Sequence, residues 1–359
     1  MKDSYQSIGL MSGTSLDGLD VCCATFNRSG GGWKFHIDCA RGYSYPQELR
    51  RKLGTDAQNM SAKEFCAFHS EYGFFLGERV KDFMNEYGVR PDIISSHGHT
   101  IFHEPGRKLM CQIGDGAAIA AVTGVPVVSD FRRLDIMLGG QGAPLVPIGD
   151  RMLFGEYDYC LNIGGFSNIS YEAPFADGGS GSRRIAFDVS PVNYVINHYC
   201  RKIGLEFDKD GEIASRGHVS EAVLSSLNDL EYYHQEPPKS LGREWVEKNV
   251  FPLLDGSGLA LEDMLRTFYE HAAIQLARVT KPGRSLFITG GGAYNKFLIS
   301  RMSELTSDKV VIPDSQIIEY KEALIFALLG VMYMDGQPSC LSSVTGASRD
   351  NIGGMLFKI

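Results

Sequence analysis

"SIGLMSGTSLDGLDVCCATFN", residues 7–27, sets the reading of the whole chain. Apolar runs at 5–11 and 19–26 flank a knot of Ser, Gly, Thr and Asp, so the stretch reads as two strands joined by a polar turn. A tight hairpin with glycines at positive φ is one account of it. A Walker phosphate loop is excluded, because that motif needs a Lys and a following helix. Here there is no Lys at that position and a second strand follows. The third account is a phosphate-binding hairpin whose turn amides and hydroxyls line an anion site. Asp17 and Asp20 belong beside phosphate only with a divalent cation between.

Outward from this hairpin the chain alternates strands and helices, the mark of an α/β protein. Phe65, Phe68, Tyr72, Phe75 and Phe83 give 61–87 a helical period, with Gly88 as its stop. "PDIISSHGHT" reads as a strand entering a loop near Ser96, "GDGAAIAAVTG" as a helix and "VPVVSDF" as a strand. The Gly/Pro-rich "LGGQGAPLVPIGD", 138–150, marks a junction. The grammar then restarts: "YDYCLNIGGFSNISYEA", 157–173, is again strand, Gly/Ser/Asn turn, strand. "DGGSGSRR" reads as a hairpin tip. A further strand ends at Asp188, where Ser190 and Pro191 suit the start of a helix. Helices at 261–279 and 320–334 and a strand–glycine loop–helix at "SLFITGGGAYNKFLISRM" complete the pattern. The expected domains are 1–140, with 345–359 as a candidate completion, and 141–344.

Bulk properties narrow the function classes. The 359 residues are 43% hydrophobic and 22% charged, with net charge −8, which argues against nucleic-acid binding. No run approaches the roughly 20 apolar residues that span a bilayer, and Met-Lys-Asp leads straight into a strand without a signal-peptide core. The eight cysteines form no CxxC pair. They read as reduced thiols in a cytoplasmic protein.

"GLMSGTSLDGLD", "SHGHTIFHEP", "QIGDGAAIA", "SDFRRLDIMLGGQGAPLVP", "LNIGGFSNIS", "PPKSLGREW", "ITGGGAYN" and "SSVTGAS" follow one another along the chain. Together they closely resemble the anhydro-N-acetylmuramic acid kinases, of the sugar kinase, actin and heat-shock-chaperone ATPase superfamily. The resemblance implies two actin-like (ribonuclease H-like) domains, each with a mixed five-stranded sheet and flanking helices, and ATP in the interdomain cleft. It also implies a reaction in which ATP, water and 1,6-anhydro-N-acetylmuramic acid give N-acetylmuramic acid 6-phosphate and ADP. That is a step of bacterial cell-wall recycling. A homodimer is a further expectation, and membrane partners are not expected.

The resemblance also assigns residues. Gly13, Thr14, Ser15, Leu16, Asp17, Gly18, Leu19 and Asp20 form the first phosphate hairpin, with Asp17 on Mg²⁺ through water. Asn162, Gly164, Gly165 and Asn168 form the second, and Gly290, Gly291, Gly292 and Asn295 meet the adenosine. For Asn295, capping the next helix is an equal account. Asp188 is the general base that activates water, although a carboxylate there also suits a helix cap. Thr100, Glu104, Arg132 and Asn193 face the sugar, with Arg132 suited to the lactyl carboxylate, a surface or interdomain salt bridge being the competing account for it. Glu322 reads as a nucleotide-side residue, and Lys239 and Arg243 as a closing loop. His97, His99 and His103 read as hydrogen-bonding loop residues rather than a transition-metal set.

Three positions depart from the family pattern. Where the family usually reads DTGPGN, this chain has "DVSPVN", 188–193, and His99 stands where Gln is common. Ser190 and Val192 in place of glycines are expected to narrow the pocket. Two alternatives therefore stand beside the leading one: a kinase of the same fold for a different sugar or sugar acid, and a non-catalytic ATP-binding module.

Overall fold

The strands around the polar turn pair antiparallel, Ser4–Met11 with Leu19–Ser29, in register from Ser4 opposite Asn27 to Met11 opposite Asp20. Ile8, Leu10, Val21 and Cys23 are buried beneath them. A third strand, Gly32–Tyr43, extends this meander. It escaped the sequence reading because it is an edge strand with its outer positions in solvent. The computed structural model describes every residue except Met1, Thr14, Ser15, Gly31 and 176–180. The first half of the "DGGSGSRR" tip, 177–180, therefore lies outside the described residues.

Two compact units result: Met1–Leu153 with Tyr320–Ile359, and Phe154–Glu319. In the first, the strand order is Met355–Phe357, Val127–Ser129, Ile93–Ser96, Ser4–Met11, Leu19–Ser29, Gly32–Tyr43. In the second it is Ser182–Pro191, Phe166–Pro174, Tyr159–Ile163, Ser285–Thr289, Lys309–Val311. Each sheet is a three-strand antiparallel meander extended by two parallel strands. This doubled mixed sheet is the α/β, actin-like (ribonuclease H-like) arrangement. Among the described residues the first sheet has six strands rather than five, because Met355–Phe357 adds itself antiparallel to Val127–Ser129.

Where the sequence reading put the junction at 140/141 and returned only 345–359, the first unit runs to Leu153 and also takes Tyr320–Ile359. Packing explains both differences. Val146–Leu153 is a helix, and its Asp150 forms an ion pair with Lys321 at 2.8 Å, each side chain about 5% exposed. Lys321 belongs to the helix Ser315–Met334, whose Leu324, Ile325, Phe326 and Leu328 are buried. That helix lies so close to the first strand that a Cβ at Gly9 would stand 1.9 Å from the Ala323 carbonyl oxygen.

The long helix Ala62–Tyr87 follows its sequence signals. Ser61 and Glu64 form a capping box, and Gly88 closes the helix at φ 67°. Two other expectations change. The segment after Ser96 is a two-stranded hairpin, His99–Glu104 with Leu109–Ile113, rather than a loop. Ser190 does not cap a helix, because pairing with the Phe166–Pro174 strand keeps the backbone extended as far as Pro191. The helix begins at Asn193.

Asp135, fully buried, ties two signature segments together. Its carboxylate accepts from the Gly142 N–H at 2.8 Å, the Thr345 hydroxyl at 2.8 Å and the Asn351 amide at 3.0 Å. "GGQGAPLVP" and "SSVTGAS" thus meet on one carboxylate. No helix among the described residues is long and apolar enough to cross a membrane.

Replacing Gly9 by Ala forces the strand and the late helix apart. We expect a loss of about 3 kcal/mol, the upper end for overpacking, in urea unfolding; a midpoint equal to wild type would contradict this packing.

Candidate active site

In the second unit a polar row crosses four strands. Thr289 is opposite Asn162, Asn162 opposite Asn168, and Asn168 opposite Asp188. Residues directly opposite share one face of a sheet, about 4.8 Å apart from strand to strand. Register alone therefore sets the asparagines of the second hairpin beside Asp188.

Asp188 is half-buried. Its Oδ2 accepts from the Leu241 N–H at 2.9 Å, and Oδ1 has no protein partner among the described residues. Burial raises its pKa above the usual carboxylate value, and the Leu241 N–H partly offsets the rise. The carboxylate does not cap the following helix, whose first amides turn to the hairpin instead. Val192 and Tyr194 donate to the Gly165 carbonyl at 2.9 and 3.1 Å, and Asn193 donates to Gly164 at 3.2 Å.

The three departures from the family pattern all point inward. Val192, at φ −130°, is fully buried within the apolar core of its unit. Ser190 is fully buried, with its N–H and C=O both held by the Ser167 hydroxyl at 3.1 and 2.8 Å. Neither needs a glycine backbone, and neither side chain narrows an open surface. His99, 2% exposed, meets the Ser12 hydroxyl at 2.9 Å.

A cavity of about 660 Å³ opens in the same unit, lined by Asn193, Phe207, Asp210, Gly291, Tyr294 and Asn295 among others. Its volume lies in the usual range for small-ligand sites. Gly291 faces open space, whereas a Cβ on Gly292 would stand 2.2 Å from Ile163 Cγ2 and one on Gly290 2.7 Å from Asn162 Oδ1. Of the three glycines, only Gly291 is turned to the cavity; the other two let the loop press on the second hairpin. Asn295 caps the next helix, accepting from Leu298 N–H at 3.0 Å, and its amide donates to the Tyr269 hydroxyl at 2.7 Å. Asn193, expected on the sugar, lines this cavity with them.

In the first unit, the hairpin tip turns through Leu16 at φ 61°, whose N–H donates to the Gly13 carbonyl at 3.2 Å. Thr14 and Ser15 lie outside the described residues. Gly18 approaches the next strand closely, since a Cβ there would meet the Tyr43 carbonyl at 2.4 Å. Asp17 is exposed and Asp20 half-buried opposite Gly42. Below the tip runs a buried chain in which Tyr72 meets Tyr45 at 2.8 Å, and the Tyr45 hydroxyl donates to Ser12 at 2.6 Å. Burial pushes the pKa of His99, at the end of this chain, down to about 4, so its ring is neutral.

Arg132 donates from Nη1 to the Gly142 carbonyl at 2.8 Å and from Nη2 to His97 Nε2 at 2.9 Å. Since a guanidinium cannot accept, His97 Nε2 is the acceptor and Nδ1–H donates to the Gly98 carbonyl at 2.8 Å. Burial and the neighbouring guanidinium hold His97 well below its ordinary pKa. Burial also lowers Arg132, to about 10, leaving it cationic at neutral pH. Gln112 bridges His97 to Thr100, its amide 3.3 Å from the Thr100 hydroxyl. Glu104 is exposed and paired with Arg107 at 2.9 Å, and His103 donates to the Gln141 carbonyl at 2.8 Å. Glu322 stands beside Arg132 in the first unit, its carboxyl raised by burial and drawn down by Lys321 and Arg132. No group of three metal-ligating side chains occurs among the described residues.

A model of the anhydro-N-acetylmuramic acid kinase family matches residues 5–359. The chain belongs to that family. A relative in Vibrio vulnificus (strain YJ016), named anhydro-N-acetylmuramic acid kinase, is 34% identical over 370 residues, 98% of this chain and 97% of the relative. One of the same name in Caldanaerobacter subterraneus is 32% identical over 392 residues, 99% and 97% of the two chains. Among solved structures, (R)-2-hydroxyglutaryl-CoA dehydratase component A of Acidaminococcus fermentans gives a TM-score of 0.45 at 12% identity, covering 91% of this chain and 97% of that one. That likeness is too slight to carry an argument.

Sequence reasoning missed the Leu241 amide and the Tyr232 hydroxyl, which donates to the Asp188 carbonyl at 2.5 Å. The only signal was "PPKSLGREW" itself, since a backbone donor leaves no trace in residue type.

Gly291→Ala keeps stability within about 0.5 kcal/mol of wild type, whereas Gly292→Ala loses about 1–3 kcal/mol. Urea unfolding of the two variants separates a cavity-facing glycine from a packing one.

Proposed function

We propose that this chain is an ATP-dependent kinase that opens 1,6-anhydro-N-acetylmuramic acid with water and phosphorylates it. The products are N-acetylmuramic acid 6-phosphate and ADP. The observation that carries this reading is the Asp188 carboxylate. One of its oxygens is fixed by a backbone amide, the other has no partner among the described residues, and two hairpin asparagines share its row.

In this reading Asp188 takes a proton from water as the water oxygen bonds to the anomeric carbon. The bond from that carbon to the bridging 6-oxygen breaks, and the released oxygen accepts the γ-phosphoryl group. A placed carboxylate base contributes on the order of 10²–10⁴-fold in rate. The cavity beside Gly291 and Asn295 receives the adenosine, and the hairpin at 162–168 offers amide donors to phosphate. Arg132 keeps its charge and faces the substrate's carboxylate, with neutral His97 setting the plane of its fork.

Mg²⁺ binds oxygen donors, keeps several waters and needs few protein ligands. Asp17, a lone exposed carboxylate at the hairpin tip, fits that demand and would hold the ion through water. The ion supplies charge neutralisation at the phosphates. A different sugar substrate was suggested by Ser190, Val192 and His99. With all three turned inward, nothing in their geometry favours that second reading.

Purified protein given the anhydro sugar and Mg·ATP should yield a phosphorylated N-acetylmuramic acid by mass spectrometry. Asp188→Asn should abolish this while nucleotide binding, read by calorimetry, persists. Unchanged sugar with wild type, or turnover surviving in Asp188→Asn, would reject the reading.

The pH profile adds a signed expectation. Asp188 must be ionised to take a proton, and burial raises its pKa. The acidic limb of kcat/KM should therefore lie above the ordinary Asp value of about 3.9, activity falling as pH drops through it. A limb at or below that value would contradict the assignment.

A further inference from the structure

Among the described residues Asp188 lies on an edge strand, so its outward backbone groups have no neighbouring strand there to pair with. A segment without strand structure takes that place. The Asp188 N–H donates to the Lys239 carbonyl at 3.3 Å, the Tyr232 hydroxyl donates to the Asp188 carbonyl, and the Leu241 N–H holds the carboxylate. Lys239 is turned back on the same segment, its ammonium donating to the Tyr232 carbonyl at 3.1 Å. The loop read from sequence as a closing lid therefore brackets Asp188.

The bracket is anchored from behind by the second of two tandem tyrosines. Tyr233 packs edge-on against Trp245 and His271. Its hydroxyl meets His271 Nε2 at 2.9 Å and the Ser190 hydroxyl at 3.3 Å. On the far side of the ring, His271 Nδ1 faces Asn228 Oδ1 at 2.8 Å, and the Gln275 amide donates to that same oxygen at 2.7 Å.

The donor inventory gives this chain one direction. Asn228 Oδ1 only accepts, so the imidazole proton sits on Nδ1. Nε2 then accepts from the Tyr233 hydroxyl, whose oxygen accepts from the Ser190 hydroxyl, the one Ser190 hydrogen being shared with the Pro191 carbonyl at 3.0 Å. His271 is fully buried, and burial pushes its pKa down to about 3. At neutral pH the chain is uncharged and its polar groups are satisfied, which favours rigidity. It ends on Ser190, where the strand register shifts between Asp188 and Ser190. Such a bulge re-aims the side chain beside it, so whatever fixes Ser190 fixes the direction of Asp188.

We propose that Tyr233, anchored on His271 and linked to Ser190, is a positioning residue that aims the Asp188 carboxylate. The inference rests on the reading of Asp188 as the base. Ser190 supplies a hydroxyl where the family motif usually has glycine, so the serine–tyrosine link is a feature of this chain.

Tyr233→Phe removes the hydroxyl and keeps the ring. In the anhydro-sugar assay its kcat falls about tenfold, the size of one buried hydrogen bond, while KM for sugar and ATP stays within about twofold. Ser190→Gly lowers kcat in the same direction, and the double variant is no slower than Tyr233→Phe alone, because both act through one chain. Urea unfolding is read on every variant. A lowered midpoint with unchanged kcat per folded molecule would make Tyr233 merely structural and overturn the proposal. Additive losses in the double variant would do the same. Should Tyr233→Phe not fold, an unchanged kcat in Ser190→Gly overturns it. Absence of wild-type turnover removes the reading of the base and this inference together; an active wild type with an unaltered Tyr233→Phe removes the inference alone.

Discussion

Antiparallel register is the constraint on which the second unit depends. Once Asn162 faces Asn168 and Asn168 faces Asp188, three polar side chains lie in one row whatever their loops do. A slip of one residue would turn the whole set to the opposite face. The register is held by buried contacts on either side of the row, with Ile163, Ile169, Phe187 and Val189 in the core, and by the Ser167 hydroxyl bonding both backbone groups of Ser190. The position of Asp188 is thus tied to ordinary sheet packing.

The first unit uses a related device with different parts. Its polar turn rests on a buried hydroxyl chain through Ser12, Tyr45 and Tyr72, and its arginine is oriented by a neutral histidine. In both units, desolvation decides the protonation state: His97, His99 and His271 are held neutral by burial. Neutral imidazoles serve as fixed donors and acceptors here, with defined tautomers, rather than as titrating groups.

Much of this was legible in the sequence because the signals were local. The aromatic period over 61–87 and the following Gly88 gave the long helix, and two polar turns between apolar runs gave both hairpins. Non-local facts were not legible. The late helix joins the first unit through Gly9 and the Lys321–Asp150 pair, contacts between residues far apart in the chain. Ser190 followed by proline carries a helix-start signal, yet strand pairing with Ser167 overrides it. The bracket at 232–241 acts largely through backbone groups, which residue types do not announce. Of the glycine triplet, only the structure separates Gly291 from its two packing neighbours.

The central claim is that Asp188 directs water to the anomeric carbon in the same turnover that phosphorylates the released oxygen. Turnover in ¹⁸O-labelled water, with fragment mass spectrometry of the sugar product, tests it most directly. The account predicts one labelled oxygen, located on the anomeric carbon, and an unlabelled phosphate ester. A product without label, or with the label in the phosphate, would contradict it.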